Sequence, residues 1–302
     1  MPWLRRGQLL DGGPTPWSAT HAALPVAEAR SDGLVRVYFS ARDTEGRARI
    51  GYADFDGHRW GSPVRRSMTP VLDLGELGAF DDRGVTSSWV MTAGGQTFQY
   101  YTGWMLGVTV PFYLAAGLAV SGDGGETFKR WSRAPILDRS PVDPLLTASP
   151  CVLLVEGRWR MWYVSATRWS LDGRTARHHY HIRYAESDDG IDWRRDGRVC
   201  IDFANDAEFA VARPCVVKDP DCYRMWFSCR GDRYRIEYAE SQDGLTWTRL
   251  NDRGGLAPSE SGWDAEMVAY GYVFDWGGCR YMLYNGNQYG RTGFGLAEWC
   301  PD

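Results

Sequence analysis

The chain has 302 residues, 44% of them hydrophobic and 24% charged, with a net charge of −4 at neutral pH. That length can bury one large core, and all-β chains of this size often form one domain, so residues 1–302 are read as a single unit. No run of 18 apolar residues is present, which excludes a membrane-spanning helix. The slight acidity offers no broad basic face to nucleic acid. Fifteen Trp, 16 Tyr and 35 Gly fit many short strands joined by turns.

In chain order the first element is WLRRGQLLD at 3–11, a strand without the apolar stretch of a signal peptide. Next come RVYFSARD at 36–43 and ARIGYADFDGHRW at 48–60, two alternating runs and a turn that opens on Trp60. The same unit returns as TFQYYTGW at 97–104 with LAAGLAVSGDGGETFKRW at 114–131. It returns again as RMWYVSA at 160–166 with HIRYAESDDGIDW at 181–193, and as RMWFSCR at 224–230 with RIEYAESQDGLTW at 235–247. Alternation of period two predicts half-buried strands, and Asp-Gly between such runs predicts a hairpin. A fifth copy, CRYMLYNGN at 279–287 with TGFGLAEW at 292–299, stops before its fourth strand.

The missing strand resembles residues 3–11, so the N-terminal segment is expected to complete the last unit. The aromatics after each turn, Trp3, Trp60, Phe128, Trp193 and Trp247, are 57, 68, 65 and 54 residues apart. Repeats of four strands at this period predict propeller blades. The expected fold is therefore all-β: a five-bladed β-propeller of four-stranded antiparallel blades, its ring closed by the N-terminal strand. Seven Cys with no CxxC spacing read as reduced thiols of a cytoplasmic protein. Cys151, Cys215, Cys229 and Cys279 fall within predicted strands, where buried thiols are ordinary.

The innermost strands align as HAALPVA (21–27), TSSWVM (86–91), TASPCVLL (147–154), VARPCVVK (211–218) and VAYGYVF (268–274). A carboxylate lies just upstream of four of them: Asp82, Asp143, Glu208, and Asp264 with Glu266. Repeat symmetry places these acids at one mouth, where one group protonates a leaving oxygen and another activates water or attacks carbon. Glu208, Asp82, Glu266 and Asp264 are the catalytic candidates. The competing reading is that each acid only bonds backbone at a tight loop entry. Arg213, Arg83 and His21 add cations and a base at the same level, with Arg213 either gripping an anion in two-pronged fashion or tying blades together.

Two long second-to-third strand connections, 101–113 and 165–181, carry Trp104, Arg168, Trp169, His178 and His179, side chains suited to stacking on sugar rings or holding an anion. The HHYH run lacks an acid or Cys at a metal-ligand spacing, so no metal is expected, nor any cofactor. The last connection, YNGNQYGRTGFG at 284–295, offers Asn285, Asn287 and Tyr289 for hydroxyl contacts. A plain Asn-Gly turn explains the same residues.

Taken together, the blade phrases SPCVLLVEGRWRMWYVSA and RYAESDDGIDW resemble the five-bladed propeller superfamily of arabinanases, invertases, levansucrases and mannoside phosphorylases, nearest to branches related to families 43 and 32. The resemblance spans the chain and implies the fold and glycoside chemistry in the central funnel. Active members carry an Asp entering the first inner strand. Here PTPWSATHAALPVA (14–27) has none, and Ser18, Thr20 and His21 stand there. Asp143 and Glu208 match the acids of the third and fourth blades. In the phosphorylase branch phosphate replaces water and is held by Arg and His, which His21, Arg83 and Arg213 fit. The SGDGGETF turn at 121–128 resembles the Asp-box of sialidases, whose propellers have six blades.

Two function classes follow. One is a carbohydrate-active enzyme, hydrolase, phosphorylase or transferase, acting on a small glycoside or glycosylated intermediate. The other is a propeller that binds such a ligand without turning it over. The expected partner is that small molecule, not nucleic acid or membrane.

Overall fold

The computed structural model describes residues 2–300. Its strands form one four-stranded antiparallel sheet and two eight-stranded sheets, each of the latter being two antiparallel groups of four joined by one parallel pairing, and these groups are taken here as units in chain order. Unit one holds Thr20–Ala29, Leu34–Arg42, Ala48–Asp56 and Arg65–Arg66; unit two holds Gly84–Ala93, Gln96–Leu106, Phe112–Ser121 and Lys129–Arg130. Unit three holds Thr147–Val155, Arg158–Asp172, Thr175–Ser187 and Val199–Ile201; unit four holds Ala210–Lys218, Tyr223–Arg230, Tyr234–Ser241 and Thr248–Arg249. Unit five holds Ala269–Trp276, Cys279–Asn285 and Phe294–Trp299, and Trp3–Leu10 pairs with the last of these, Trp3 opposite Trp299. The first strands of successive units pack side by side, and that of unit five packs against that of unit one.

The repeated phrases now have a physical cause. In units one to three the second strand presents a donor, Tyr38, Tyr100 or Trp162, to the hairpin turn of the following unit. These donate to the carbonyls of Gly125 (3.3 Å), Gly190 (2.9 Å) and Gly244 (2.8 Å). Each of those glycines has φ near +75 to +79°, and a Cβ on Gly190 would stand 2.8 Å from the Tyr100 hydroxyl. Only glycine fits such a turn. The neighbouring Asp of each turn, Asp123, Asp189 or Asp243, accepts two backbone N–H groups, which with Ser121 and its counterparts hold these carboxyls below their usual range. Sequence and structure agree that this motif builds the turn.

Three details differ from the sequence reading. The fourth strands of units one, two and four are only two residues long, and that of unit three begins at Val199 rather than at Trp193. The long connections after 101 and 165 are not loops but extensions of the second and third strands into tall hairpins, Arg158–Asp172 with Thr175–Ser187 being the longest. Cys279 lies in a strand as expected but is exposed at its end, whereas Cys151, Cys215 and Cys229 are buried.

Candidate functional site

The first strand of every unit breaks register halfway along: between Ala23 and Val26, Ser87 and Trp89, Ala148 and Cys151, Ala212 and Cys215, and Ala269 and Tyr272. Four of these bulges place a non-glycine residue at positive φ: Leu24 (53°), Ser149 (49°), Arg213 (52°) and Tyr270 (59°). Strain of this kind persists only where surrounding bonds enforce it. Side chains of the preceding unit do so, since Ser149 N–H donates to Thr102 Oγ1 (2.9 Å), Tyr270 N–H to Ser228 Oγ (2.7 Å) and Ser87 N–H to Ser40 Oγ (2.9 Å). Leu24 N–H donates to Asn285 Oδ1 (2.9 Å), so unit five holds unit one in the same way. In unit three the equivalent residue is Val164, which has no acceptor.

These bulges surround a cavity of about 290 Å³. Its walls combine Trp104, Phe112 and Leu114 of unit two with Tyr180 and His178 of unit three. Tyr234, Tyr270, Tyr289 and Arg42 complete the lining, and the Tyr234 and Tyr180 hydroxyls lie 3.2 Å apart. Among the described residues no carboxylate lines it. Arg42 is half-buried, its guanidinium makes no hydrogen bond or ion pair with any described residue, and burial lowers its pKa from the ordinary arginine value. His178 stacks on Tyr180 at 4.5 Å, and burial, with Arg230 nearby, pushes its pKa down to about 4. His21 sits beside Thr20 (Nδ1 to Oγ1 3.0 Å), and burial, with Arg42 and Arg291, likewise lowers it to about 4. At neutral pH both imidazoles are uncharged, which leaves Arg42 as the cation on the wall. Arg230 stands behind, donating to the Tyr289 hydroxyl at 2.8 Å.

The acids expected at this mouth are elsewhere. Glu208, 5% exposed, accepts from Arg249 through both Nη atoms (2.9 Å each), from Arg235 (2.9 Å) and from Ala204 N–H (2.8 Å). Burial opposes its ionisation, but the Arg249 and backbone bonds outweigh that and hold its carboxyl below the usual range. Asp143 accepts from Tyr163 (2.9 Å), Arg195 (3.0 Å) and Arg183 (3.2 Å). Asp264 accepts from Tyr284 (3.0 Å) and Arg5 (3.1 Å). In unit two the corresponding acid is Asp81, which accepts from Tyr101 (2.9 Å) and Arg130 (2.7 Å). The neighbouring Asp82 is half-buried and accepts only Gly78 N–H. The recurrence seen in the sequence is therefore a recurring tie, in which one buried carboxylate accepts from an arginine in or just before the fourth strand and, in units two, three and five, from a second-strand phenol. Glu266 is exposed, outside the ties and outside the cavity.

Arg213 is corrected too. It is 1% exposed, and its guanidinium donates to Ser87 O (2.5 Å) and Pro25 O (3.3 Å), carbonyls of units two and one. It neither faces an open pocket nor meets a neighbouring acid, and burial pushes its pKa down to about 10. Asn287 spends its amide on Glu266 N–H, Met267 N–H and Gly262 O. Asn285 holds Leu24, as above. His179 is buried against Ser170 (2.7 Å), Trp169 packs edge-on against Phe112 at 5.2 Å, and Arg168 is exposed. Arg83 is half-buried, its Nε without a partner. Of the residues chosen from sequence, Trp104 and Tyr289 line the cavity and His178 joins them. Arg42, Tyr270 and Tyr234 were missed. Arg42 and Trp104 occupy the same place, three residues beyond the second-strand aromatic, and that shared position was the available signal.

Glu208, Cys229 and Glu237 lie close enough to share an ion, but Arg235 and Arg249 already fill the space between the two carboxylates. The donor set does not fit a metal.

Comparison with solved structures finds the same fold in glycoside hydrolases. A putative glycoside hydrolase from Parabacteroides distasonis matches with a TM-score of 0.73 at 16% identity, over 100% of this chain and 97% of that one. A family-43 glycoside hydrolase described as thermostable matches at 0.69 and 16%, over 96% and 91%. A member of the family-130 mannoside phosphorylases and hydrolases, described as targeting β-1,2 mannosidic linkages in Candida mannan, matches at 0.71 and 17%, over 98% and 93%. At such identities the likeness defines the fold. Two Mycobacterium tuberculosis proteins, named uncharacterized protein Rv1502 (strain H37Rv) and uncharacterized protein MT1551 (strain CDC 1551), are each 43% identical over 298 residues, covering 98% of this chain and 99% of theirs. The chain belongs to their family. No family model matches it.

Proposed function

We propose that this chain is a five-bladed propeller, closed by its N-terminal strand, whose central cavity binds a small anionic ligand of the carbohydrate class, such as a uronate or sugar phosphate. The observation that carries this reading is Arg42, a guanidinium on the cavity wall with no partner of its own and no carboxylate beside it. A half-buried cation without a counter-ion is costly unless a ligand supplies the charge. Planar, two-pronged donation suits a carboxylate or phosphate, and the surrounding phenols supply further donors. The fold and the glycoside hydrolase neighbours support the sugar class. The pairing of Trp3–Leu10 with Phe294–Trp299, and the Leu24–Asn285 bond, support closure.

Acid/base hydrolysis by Glu208, Asp82, Glu266 and Asp264 has less support. It needs two carboxylates flanking one glycosidic bond, and the described cavity is lined by none. The test is calorimetric titration with glucuronate, glucose 6-phosphate and glucose, on the wild type and on Arg42→Ala. Binding of an anionic sugar but not of glucose, lost by at least tenfold in the variant, is the expected result. Equal binding of glucose, unaffected by the substitution, overturns the reading.

A further inference from the structure

The two sides of the cavity differ in chemistry, and the difference limits what a ligand can look like. On one side stand Trp104, Phe112, Leu114, Ala148 and Val164. The polar atoms among them are already used. Trp104 Nε1 donates to Thr86 Oγ1 (3.0 Å), Thr86 Oγ1 donates to Thr102 O (3.3 Å), and Thr102 Oγ1 accepts from Ser149 N–H (2.9 Å). Phe112 closes this side from above, packed on Trp104 and Trp169, each at 5.2 Å. A sugar ring pushed into this half would bury several hydroxyls with nothing to bond, and each unsatisfied donor is a penalty. The remaining wall carries Arg42 with Tyr234, Tyr270 and Tyr289, and of these Tyr270 and Tyr289 act electrostatically on the guanidinium. Tyr289 reaches that side from a segment held at positive φ, 52° at Gln288 and 60° at Tyr289 itself, and remains 38% exposed at the edge. Strain spent on placing one exposed phenol at a cavity edge is typical of ligand contacts.

We infer that the ligand is two-ended: an anionic sugar, or an equivalent anion, held on the Arg42 side, and an aryl or short acyl substituent seated against Trp104, Phe112 and Leu114. This rests on the reading of the cavity as an anion site and adds the apolar substituent.

The experiment compares matched probes on the full chain: glucuronate, phenyl β-glucuronide and uncharged phenyl β-glucoside, by calorimetry. Phenyl β-glucuronide is expected to bind at least tenfold more tightly than glucuronate, and phenyl β-glucoside at least tenfold more weakly than phenyl β-glucuronide. In Phe112→Ser the ratio of the glucuronate and phenyl glucuronide Kd values falls toward one, with the melting temperature checked alongside. Equal affinity for glucuronate and its phenyl glycoside in the wild type overturns the two-ended site while leaving the anion site standing. Failure of both anions to bind overturns the anion site and this inference with it. The wild-type comparison decides the matter even if the variant folds poorly.

Discussion

Replacing Glu208 by Gln separates the tie from the catalytic acid more sharply than any other change. The side chain keeps its shape but loses its charge, and one oxygen becomes an N–H₂ facing arginine donors. Glu208 accepts four hydrogen bonds, three of them from guanidinium groups. Charged hydrogen bonds contribute about 1.5–3 kcal/mol each, and breaking a buried pair costs about 3–5 kcal/mol. Arg249 and Arg235 retain Glu237, so the expected loss is at the lower end, about 2–3 kcal/mol. At roughly 2 °C per kcal/mol for a chain of this size, the melting temperature falls by about 4–6 °C. The pH dependence carries the same sign. Because the folded carboxyl lies below its unfolded value of about 4.3, its stabilisation is complete above that pH and lost as pH falls through the folded value. The gap between wild type and variant therefore narrows in acid. Differential scanning calorimetry across pH 3–7 measures this, with anion titration in parallel. An unchanged melting temperature together with lost turnover of a glycoside would refute the tie and restore Glu208 as the acid.

Other outcomes follow from the same geometry. Arg42→Ala should leave the melting temperature within about 1 °C, since its guanidinium bonds nothing described, while abolishing anion binding by calorimetry. Gly190→Ala should destabilise by roughly 2–3 kcal/mol in denaturant titration, because it adds contacts at 2.8 Å to an unfavourable φ, whereas Gly157→Ala, at a similar φ in open space, should lose only about 1 kcal/mol. Deleting residues 2–10 removes the partner of Phe294–Trp299 and the Trp3 bond to Gly254 O, so the truncated chain should aggregate in size-exclusion chromatography. A monomer with native melting behaviour would contradict that.

Strand positions were legible because each unit repeats the same alternation, and the first strands expected at 147–154 and 211–218 appear at Thr147–Val155 and Ala210–Lys218. The site was far less legible. An acid that recurs at one place in each repeat reads equally as a ring of catalytic groups and as a repeated fastening, and only the partners distinguish them. Those partners come from strands far away in sequence: Asp143 lies 52 residues from Arg195, and Asp264 lies 259 residues from Arg5. Arg42 carried no motif. Its importance lies in what it does not touch, and a lack of partners leaves no trace in a sequence.

The five units amount to a natural substitution series for that fastening. Where the second strand offers Tyr101, Tyr163 or Tyr284, the acid is Asp, which accepts from the phenol and also from arginine: Arg130, Arg195 with Arg183, and Arg5 respectively. In unit four the phenol is replaced by Phe227. The hydroxyl partner is gone, and the acid is the longer Glu208, joined by Glu237 and shared between Arg235 and Arg249. Arg249 still lies over the ring, 5.3 Å from the Phe227 centroid, as Arg130 lies over Tyr101 at 6.0 Å. In unit one the aromatic is Phe39 and Arg66 lies over it at 5.8 Å, but no acid bonds it, and burial lowers its pKa. The fastening thus tolerates loss of the hydroxyl by recruiting charge, and tolerates loss of the acid in one unit only. That unit is the one that brings Arg42 to the cavity. Arg42 acts electrostatically on His21, so a carboxylate beside His21 would also neutralise the cation that the proposed anion site requires. PTPWSATHAALPVA carries no such carboxylate, in keeping with the proposed anion site rather than with the paired carboxylates of acid/base hydrolysis.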